Sequence, residues 1–327
     1  MKKKLLWSLG GLWMIFITLL LLNSPRWAPD PEGRLQMIAH RGVHHLYDPT
    51  GVGRDDCTAV RILPGQEKLE IFENTIHSIR AAVTAKADMV EVDVAPTKDG
   101  QMVLFHDWTV DCRTDGTGNT RDLTLAELQA LDIGHGYSSD GGQTFPLRGK
   151  GIGKIPTVEA ALAAESYKPF LFNFKNNDPD EADQLYAILK AAGRDPLIEG
   201  DGFYGAEAPV KRMKQLVPGI WGWSKPGVKA CTQDYAWMGW MGITPESCKN
   251  GTLVVPLDYQ WAIAGWPART VARMEAVGAR ILIIGPMNSR ESTRGLTHGD
   301  QLTAIPKGFN GYVMVEDILQ VGPALIR

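Results

Sequence analysis

Short apolar runs alternate with segments of helical periodicity along most of the chain. Nine runs have the length and composition of strands: residues 37–39, 89–94, 102–105, 170–174, 203–204, 220–223, 253–255, 281–284 and 312–315. Helical patterns lie between several of them, for example at 181–192. This alternation predicts an α/β fold with parallel strands, since parallel neighbours need a crossover connection that is usually a helix.

Capping residues mark where individual helices begin. Asn74 or Thr75 is the predicted N-cap of one helix. Thr124 and Glu127 have the spacing of a capping box before another.

The number of strands and the chain length fit a TIM barrel. A chain of 327 residues has room for a (β/α)8 barrel of about 250 residues. The pair Asp99-Gly100 predicts a tight turn between the strands on either side. A barrel needs eight strands, so one of the nine runs is expected to be a short excursion. The run at 253–255 is the first candidate.

The N-terminal residues predict a membrane anchor at 1–24. Lysines at positions 2–4 precede an uncharged, mainly apolar run at 5–22, which lies at the short end of what crosses a bilayer. No small-residue cleavage site follows, so an uncleaved signal anchor is favoured over secretion after cleavage. The positive-inside rule then places a linker at 25–35 and a domain at 36–327 outside the cytoplasm, in the periplasm of a Gram-negative cell.

The composition is that of a globular protein, with 44% hydrophobic and 22% charged residues. The formal net charge is -3, and no basic run follows the N-terminus. A nucleic-acid partner therefore has no electrostatic support. The segment at about 225–251 is rich in Trp, Met and Gly, has no clear period and is expected to be an insertion that forms a substrate lid or a plain surface loop.

Four cysteines, Cys57, Cys112, Cys231 and Cys248, permit two disulfides in an oxidising compartment. None forms a CxxC pair, so a zinc ribbon is not expected. Three pairings are open. Cys231 with Cys248 would close a short loop, Cys57 with Cys112 would join two loops, and four free thiols are the alternative.

Two carboxylates share one face of a predicted buried strand. In the run at 89–94 the valines point one way, and Glu91 and Asp93 point the other. A parallel strand is usually buried on both faces, so two adjacent carboxylates there need a cation between them. Oxygen ligands favour Ca²⁺ or Mg²⁺. The alternative is an exposed edge strand with a polar outer face.

Histidine and arginine stand at the ends of predicted strands. His40 and Arg41 follow the first run, and His106 follows the run at 102–105. In barrels, chemistry lies at the C-terminal ends of strands. Arginine binds phosphate oxygens, and histidine transfers protons near neutral pH. A lone histidine is more typical of a satisfied polar residue, but two at strand ends beside a carboxylate pair favour phosphoryl chemistry.

At this point the residues resemble a known family. The motifs His40-Arg41-Gly42, Glu73-Asn74-Thr75, Glu91-x-Asp93, Asp99-Gly100 and His106-Asp107 occur in the order and approximate spacing of glycerophosphodiester phosphodiesterases. The resemblance is specific from His40 to about Lys175 and weaker beyond. The segment at about 43–72 is longer than the loop common in the family, so it is expected to be an insertion that covers the site. It implies a TIM barrel, one divalent cation, Ca²⁺ or Mg²⁺, and hydrolysis of glycerophosphodiesters to glycerol 3-phosphate and an alcohol.

The resemblance also implies a role for each matching residue. The implied acid/base pair is His40 and His106, the phosphate ligands are Arg41 and Lys175, the metal ligands are Glu91, Asp93 and Asn173, and the supporting residues are Glu73 and Asn74. Asn173 stands where the family usually has a glutamate. An amide oxygen ligates a hard cation without bringing charge, so weaker metal binding is expected.

The resemblance leaves the substrate open, because the segment at 281–286 replaces an aromatic-rich motif that the family often carries. A small-molecule glycerophosphodiester is the first expectation. The alternative is a lysophospholipid that loses its head group, which suits a membrane-anchored enzyme. A non-catalytic binding barrel is the third possibility, motivated by Asn173.

Overall fold

The computed structural model describes residues 11, 13–21, 23–24, 28, 31–53, 56–287 and 295–325. The strands are β1 (Gln36–Ala39), β2 (Met89–Pro96), β3 (Met102–Leu104), β4 (Phe170–Phe174), β5 (Gly202–Gly205), β6 (Trp221–Ser224), β7 (Thr252–Pro256), β8 (Arg280–Ile284) and β9 (Tyr312–Val315). The helices that follow the N-terminal segment are α1 (Ile76–Thr84), α2 (Leu125–Ala130), α3 (Val158–Ala164), α4 (Asp180–Ala191), α5 (Pro196–Glu199), α6 (Glu207–Leu216), α7 (Lys225–Met238), α8 (Ala268–Ala276) and α9 (Ile318–Ala324).

Eight parallel strands form a nearly closed barrel in the order β6-β5-β4-β2-β1-β9-β8-β7. Within the described residues, the two end strands, β6 and β7, share no backbone ladder. The Trp221 side chain bridges them, because its Nε1 donates a hydrogen bond to Thr252 Oγ1 at 3.0 Å. The predicted TIM barrel is therefore confirmed, with one seam closed by side chains.

The strand outside the barrel is β3, so the prediction that 253–255 is the excursion was wrong. Those residues lie in β7, which pairs in parallel with β8. The Asp99-Gly100 turn explains the error. It sends the chain straight back, so β3 pairs antiparallel with β2, with Leu104 opposite Val94. A two-strand hairpin cannot continue a parallel barrel.

The buried apolar side chains form a barrel core and a separate cluster beside it. Outward-facing residues of the strands, such as Val90 and Phe172, pack against the surrounding helices. The second cluster is built from the segments 56–72 and 97–155, which we call the cap. The Cys57–Cys112 disulfide joins the two segments of the cap.

The helix signals in the sequence agree with the structure. Thr75 caps α1, and Thr124 with Glu127 forms the capping box of α2. The predicted insertion at 225–251 differs, because most of it is helix α7, which packs against β6 and β7. Its buried positions, Cys231 and Tyr235, are one turn apart, a spacing that the many Trp, Met and Gly residues conceal.

The predicted anchor at 1–24 lies partly outside the described residues. Residues 13–21 are helical, and most of their side chains are exposed. Within the described part of the chain, no helix is both long and apolar enough to traverse a bilayer. Part of the predicted linker, at 25–27 and 29–30, also lies outside the described residues.

Candidate active site

The carboxylates of β2 face the inside of the barrel. Met89, at the start of the strand, packs with Ile38, Leu171 and other residues from different barrel strands. Side chains two positions apart share a face, so Glu91 and Asp93 continue this inner face toward the C-terminal end. Both are fully buried. The exposed-edge alternative is excluded, because β2 pairs with strands on both sides.

Glu91 is buried with too little positive charge around it. Its Oε1 accepts a hydrogen bond from the Tyr204 hydroxyl at 2.6 Å, and its Oε2 accepts one from the Arg41 backbone N–H at 2.8 Å. Burial raises the pKa of Glu91, and the neighbouring charge of Asp93 raises it further. A cation bound here would therefore stabilise the ionised pair.

Asp93 is surrounded by donors. Asn74 and Asn173 donate to its two carboxylate oxygens at 2.9 and 2.8 Å, and Lys175 Nζ lies 2.9 Å from Oδ1. Burial opposes its ionisation, but the ammonium of Lys175, followed by His106 and Arg41, holds the pKa of Asp93 well below its usual range. Asn74 adopts a positive φ of 57° and also accepts the Asp93 N–H, so it fixes both backbone and side chain.

His40 directly follows β1 and is held by a carboxylate. Its Nδ1 lies 2.8 Å from Glu316 Oε2, and its Nε2 lies 3.9 Å from Glu91 Oε2. With Nδ1 donating to Glu316, the other ring nitrogen faces the inner carboxylates. The imidazole of His44 lies at right angles to that of His40, with ring centroids 5.5 Å apart.

Arg41 turns inward with a positive φ of 55°. Its Nη1 donates to Glu73 Oε1 at 3.0 Å, and its Nε lies 3.5 Å from Asp93 Oδ2 without a hydrogen bond. The guanidinium is buried, so a donor without a partner is costly unless a ligand supplies an acceptor. A phosphate oxygen would be such an acceptor.

His106 belongs to the cap and is held by a second carboxylate. Its Nδ1 lies 2.6 Å from Asp107 Oδ1, and Arg113 Nε donates to the other Asp107 oxygen at 2.6 Å. Burial, followed by the positive charges of Arg41 and Lys175, lowers the pKa of His106 to about 3. The imidazole is therefore neutral near pH 7, with Nε2 available to accept a proton.

Glu73 connects the barrel half of the site to the cap half. One oxygen accepts from Arg41, and the other lies 3.3 Å from Arg113 Nη1. Although burial opposes ionisation, the two guanidinium groups lower the pKa of Glu73 to about 2. The structure thus brings all nine predicted site residues into one connected network.

The charges in the site leave room for a divalent cation. The carboxylates of Glu73, Glu91, Asp93, Asp107 and Glu316 face the permanent cations Arg41, Arg113 and Lys175. Oxygens of Glu91, Asp93 and Asn173 would form a hard-ion site. Asn173 presents its amide nitrogen to Asp93, and turning that amide over would bring its carbonyl to the same place. The donor set therefore fits Ca²⁺ or Mg²⁺.

Five residues that complete the network were not predicted: His44, Asp107, Arg113, Tyr204 and Glu316. Among the described residues, His40, His44 and Glu316 are the one group of three His, Cys, Asp or Glu side chains close enough to share an ion. Glu316 carries a signal that could have been used, because it directly follows the predicted strand at 312–315. Arg113 carries none, since its role depends on a loop conformation.

Comparisons with known proteins match the part of the chain that contains most of these residues. Residues 40–194 match the model of the glycerophosphoryl diester phosphodiesterase family. A glycerophosphodiester phosphodiesterase from Caldanaerobacter subterraneus is 39% identical over 103 residues, which are 32% of this chain and 39% of that protein. Human glycerophosphodiester phosphodiesterase 1 is 35% identical over 135 residues, 41% of this chain and 31% of its own length. The chain thus spans less than two fifths of the length of these curated relatives.

A solved structure shares the whole fold. The phosphodiesterase of Oleispira antarctica, determined in complex with the product sn-glycerol-3-phosphate, aligns with a TM-score of 0.56 at 17% identity. The alignment covers 91% of this chain and 97% of that one. At 17% identity, this structural similarity shows only that the two proteins share the barrel fold. The sequence match to the family model lies between His40 and Arg194. Residues 40–194, a little under half of the chain, therefore resemble the glycerophosphoryl diester phosphodiesterase family in sequence.

Proposed function

We propose that the chain is a glycerophosphodiester phosphodiesterase that hydrolyses its substrate to glycerol 3-phosphate and an alcohol, with a bound divalent cation. One observation carries the proposal. Two imidazoles, each held at Nδ1 by a carboxylate, flank an arginine, a lysine and a pair of buried carboxylates. Proton transfer, phosphate binding and cation binding are thus available within one site.

The environments of the two histidines suggest a division of roles. Burial and the neighbouring Arg41 and Lys175 keep the His106 imidazole neutral, so its Nε2 is free to take the proton of the attacking hydroxyl. That hydroxyl belongs to water or to the glycerol part of the substrate. His40 takes the complementary role: its Nδ1 is held by Glu316, and its Nε2 faces the inner carboxylates and donates to the leaving alkoxide as the phosphorus–oxygen bond breaks.

Arg41 and Lys175 would hold the non-bridging phosphate oxygens. Arg41 Nε has no hydrogen-bond partner, and Lys175 is partly accessible at the end of β4. A cation held by Glu91, Asp93 and Asn173 would supply further positive charge against the phosphoryl oxygens. A small pocket lined by Trp108, Thr120 and Arg121 lies beside Lys175 and His106.

The named relatives support the same chemistry. The curated proteins matched here are glycerophosphodiester phosphodiesterases, and the Oleispira antarctica enzyme was determined with sn-glycerol-3-phosphate. The matched segment contains both histidines, both phosphate ligands and the three proposed metal ligands.

A lysophospholipid is a second candidate substrate, and one feature favours it. The exposed apolar side chains of Tyr259, Trp261 and Met287 follow the C-terminal ends of β7 and β8. They lie therefore toward the end of the barrel where the site is, and an acyl chain could contact them.

The location we propose is outside the cytoplasm, anchored by residues 1–24 or secreted. The two disulfides support this location, since such bonds persist in oxidising compartments.

Product analysis tests the function. The purified protein, with Ca²⁺ or Mg²⁺ added after chelation, is expected to convert glycerophosphocholine into glycerol 3-phosphate, detected by phosphorus NMR. A cyclic phosphate intermediate would indicate attack by the glycerol hydroxyl. Faster turnover of lysophosphatidylcholine would favour the second substrate. If neither compound reacts with any divalent cation, the protein is a binding barrel and the enzymatic proposal fails.

A further inference from the structure

His40, His44 and Glu316 form a compact group beside the proposed Ca²⁺ or Mg²⁺ ligands. Glu316 Oε2 lies 2.8 Å from His40 Nδ1 and also 2.8 Å from His44 Nε2. The three side chains are between 2% and 8% exposed. Two imidazole nitrogens therefore meet a single carboxylate oxygen in a space that excludes most water.

The contact between His44 and Glu316 is not a hydrogen bond. His44 Nδ1 lies 3.0 Å from the His45 carbonyl oxygen, so the ring carries its proton there. Its Nε2 is buried and has no hydrogen-bond partner, although it points at Glu316. A neutral ring would turn its Nε2 lone pair toward a carboxylate, so the contact calls for a positive charge, which either a proton on Nε2 or a bound ion would supply.

A metal ion would satisfy this arrangement. Zinc binds imidazole nitrogen and carboxylate oxygen at about 2.0–2.2 Å, which places adjacent ligand atoms of a tetrahedral site roughly 3.3–3.6 Å apart. The observed contacts of 2.8 Å are shorter, so the three side chains would move apart slightly around an ion, and all three candidate ligand atoms already lie within 4.8 Å of one another. The His45 carbonyl would act as the outer partner that orients a ligating histidine.

We propose that His40 Nδ1, His44 Nε2 and Glu316 Oε2 form a site for zinc or a similar borderline-soft divalent ion. Two nitrogen donors distinguish this site from the all-oxygen set of Glu91, Asp93 and Asn173. The proposal shares His40 with the proposed reaction but rests on binding geometry alone. An ion on His40 Nδ1 would fix that ring as a ligand, so zinc binding is expected to inhibit turnover.

Direct binding measurements test the site. The full chain, freed of metal by a chelator, is titrated with Zn²⁺ in competition with a chromogenic zinc indicator. One tight site per chain is expected. His44→Gln and Glu316→Gln keep side-chain size and polarity, and each is expected to weaken binding at least about tenfold. Two variants serve as controls and are expected to stay within about twofold: Glu91→Gln removes an oxygen ligand of the neighbouring site, and His77→Ala removes an exposed histidine.

The opposite pattern would overturn the site. Unchanged zinc affinity in both His44→Gln and Glu316→Gln means that the ion binds elsewhere, and a loss in Glu91→Gln assigns it to the oxygen site. Cobalt substitution in the unmodified protein gives an answer even if the variants fail to fold. Strong visible absorption indicates four-coordinate nitrogen and oxygen ligation, whereas a weak six-coordinate spectrum contradicts the proposal. Neither measurement needs turnover, so an inactive protein still tests the site.

Discussion

The two histidines of the site sit on regions built in different ways. His40 directly follows a barrel strand, and its partner Glu316 directly follows the adjacent strand β9, so parallel backbone ladders fix both positions. His106 and Asp107 lie in the cap after β3. Arg113 holds them by donating to Asp107, to the Tyr137 hydroxyl at 2.7 Å and to Thr58 at 3.0 Å.

The comparison shows that one site combines a rigid half and a half held by side chains. In the barrel half, carboxylates surround His40. In the cap half, cations surround His106 and Asp107. In the proposed reaction the barrel half supplies the proton donor and the cap half supplies the acceptor. The division of architecture suggests that the position of His106 is the easier one to disturb.

Replacing either histidine is expected to have the largest effect. His40→Ala and His106→Ala should each lower kcat by roughly 10²–10⁴, the usual contribution of a general acid or base. The two losses should differ with the leaving group. A nitrophenyl ester needs little help to leave, so it should restore much of the activity of His40→Ala but not that of His106→Ala.

Initial rates on glycerophosphocholine and on a glycerophosphoryl nitrophenyl ester check this assignment. Rescue of His106→Ala in place of His40→Ala would reverse the roles of barrel and cap. A loss below about threefold for either variant would remove that histidine from proton transfer. The exposed His77→Ala variant is the control for a histidine outside the site.

The barrel half could largely be predicted from the sequence. Strand periodicity alone placed Glu91 and Asp93 together on a buried face, and strand ends placed His40 and Lys175 nearby. Each of these residues is positioned by a strand, whose geometry depends on local sequence. Glu316 follows the last strand in the same way, so the same rule applies to it although the prediction omits it.

The cap half could not be predicted in the same way. His106 was expected at the end of a barrel strand, but it follows an antiparallel strand that a hairpin turn folds back beside β2. Arg113 reaches Asp107 and Glu73 only because an irregular loop returns to the site. Such contacts depend on tertiary packing and leave no period in the sequence. The wrong excursion strand has a different cause, because the Asp99-Gly100 turn that folds β3 back is a local signal in the sequence.

Removing a disulfide should show that the cap depends on long-range ties. The Cys57→Ala/Cys112→Ala variant opens a loop of 55 residues inside the cap and should lose about 4 kcal/mol of unfolding free energy. Since Arg113 adjoins Cys112, kcat/KM should also fall by roughly ten- to a hundredfold. Urea unfolding and steady-state kinetics measure the two effects.

The second disulfide provides the matched control. Cys231→Ala/Cys248→Ala opens a loop of 17 residues at α7 and should cost about 3 kcal/mol. Its kcat/KM should remain within about threefold of the unmodified protein, because α7 packs outside the barrel. Equal losses of activity in both variants would contradict the view that the cap is the more easily disturbed half.

Acid is expected to act on the boundary between cap and barrel through His45. The ring packs against Tyr137, with centroids 4.6 Å apart, and burial lowers the pKa of His45 to about 4. The unfolded chain takes up this proton near pH 6.5, whereas the folded protein does so only near pH 4. Stability should therefore fall by about 3 kcal/mol as the pH drops through this window.

The His45→Phe variant isolates that contribution. Phenylalanine keeps the packing but cannot bind a proton, so the fall in unfolding free energy between pH 6.5 and pH 4 should shrink by about 3 kcal/mol. Urea unfolding at several pH values measures it, with His77→Ala as the exposed control. An unchanged pH profile would mean that carboxylates such as Glu73 dominate the acid response.

The smallest expected effect concerns the barrel half and its cation. Asn173→Glu adds a carboxylate beside Asp93, where the present amide only donates a hydrogen bond. Gly205 lies directly against the Asn173 carbonyl oxygen, where a Cβ would collide with it. Affinity for Ca²⁺ or Mg²⁺ should rise roughly tenfold, about 1.4 kcal/mol, because the ion gains a charged ligand.

Calorimetric titration measures the gain in affinity, and Asn173→Gln tests whether a longer side chain alone produces it. If Asn173→Glu binds the cation no better, the ion does not lie between β2 and β4, and the two inner carboxylates serve Lys175 and Arg41 instead.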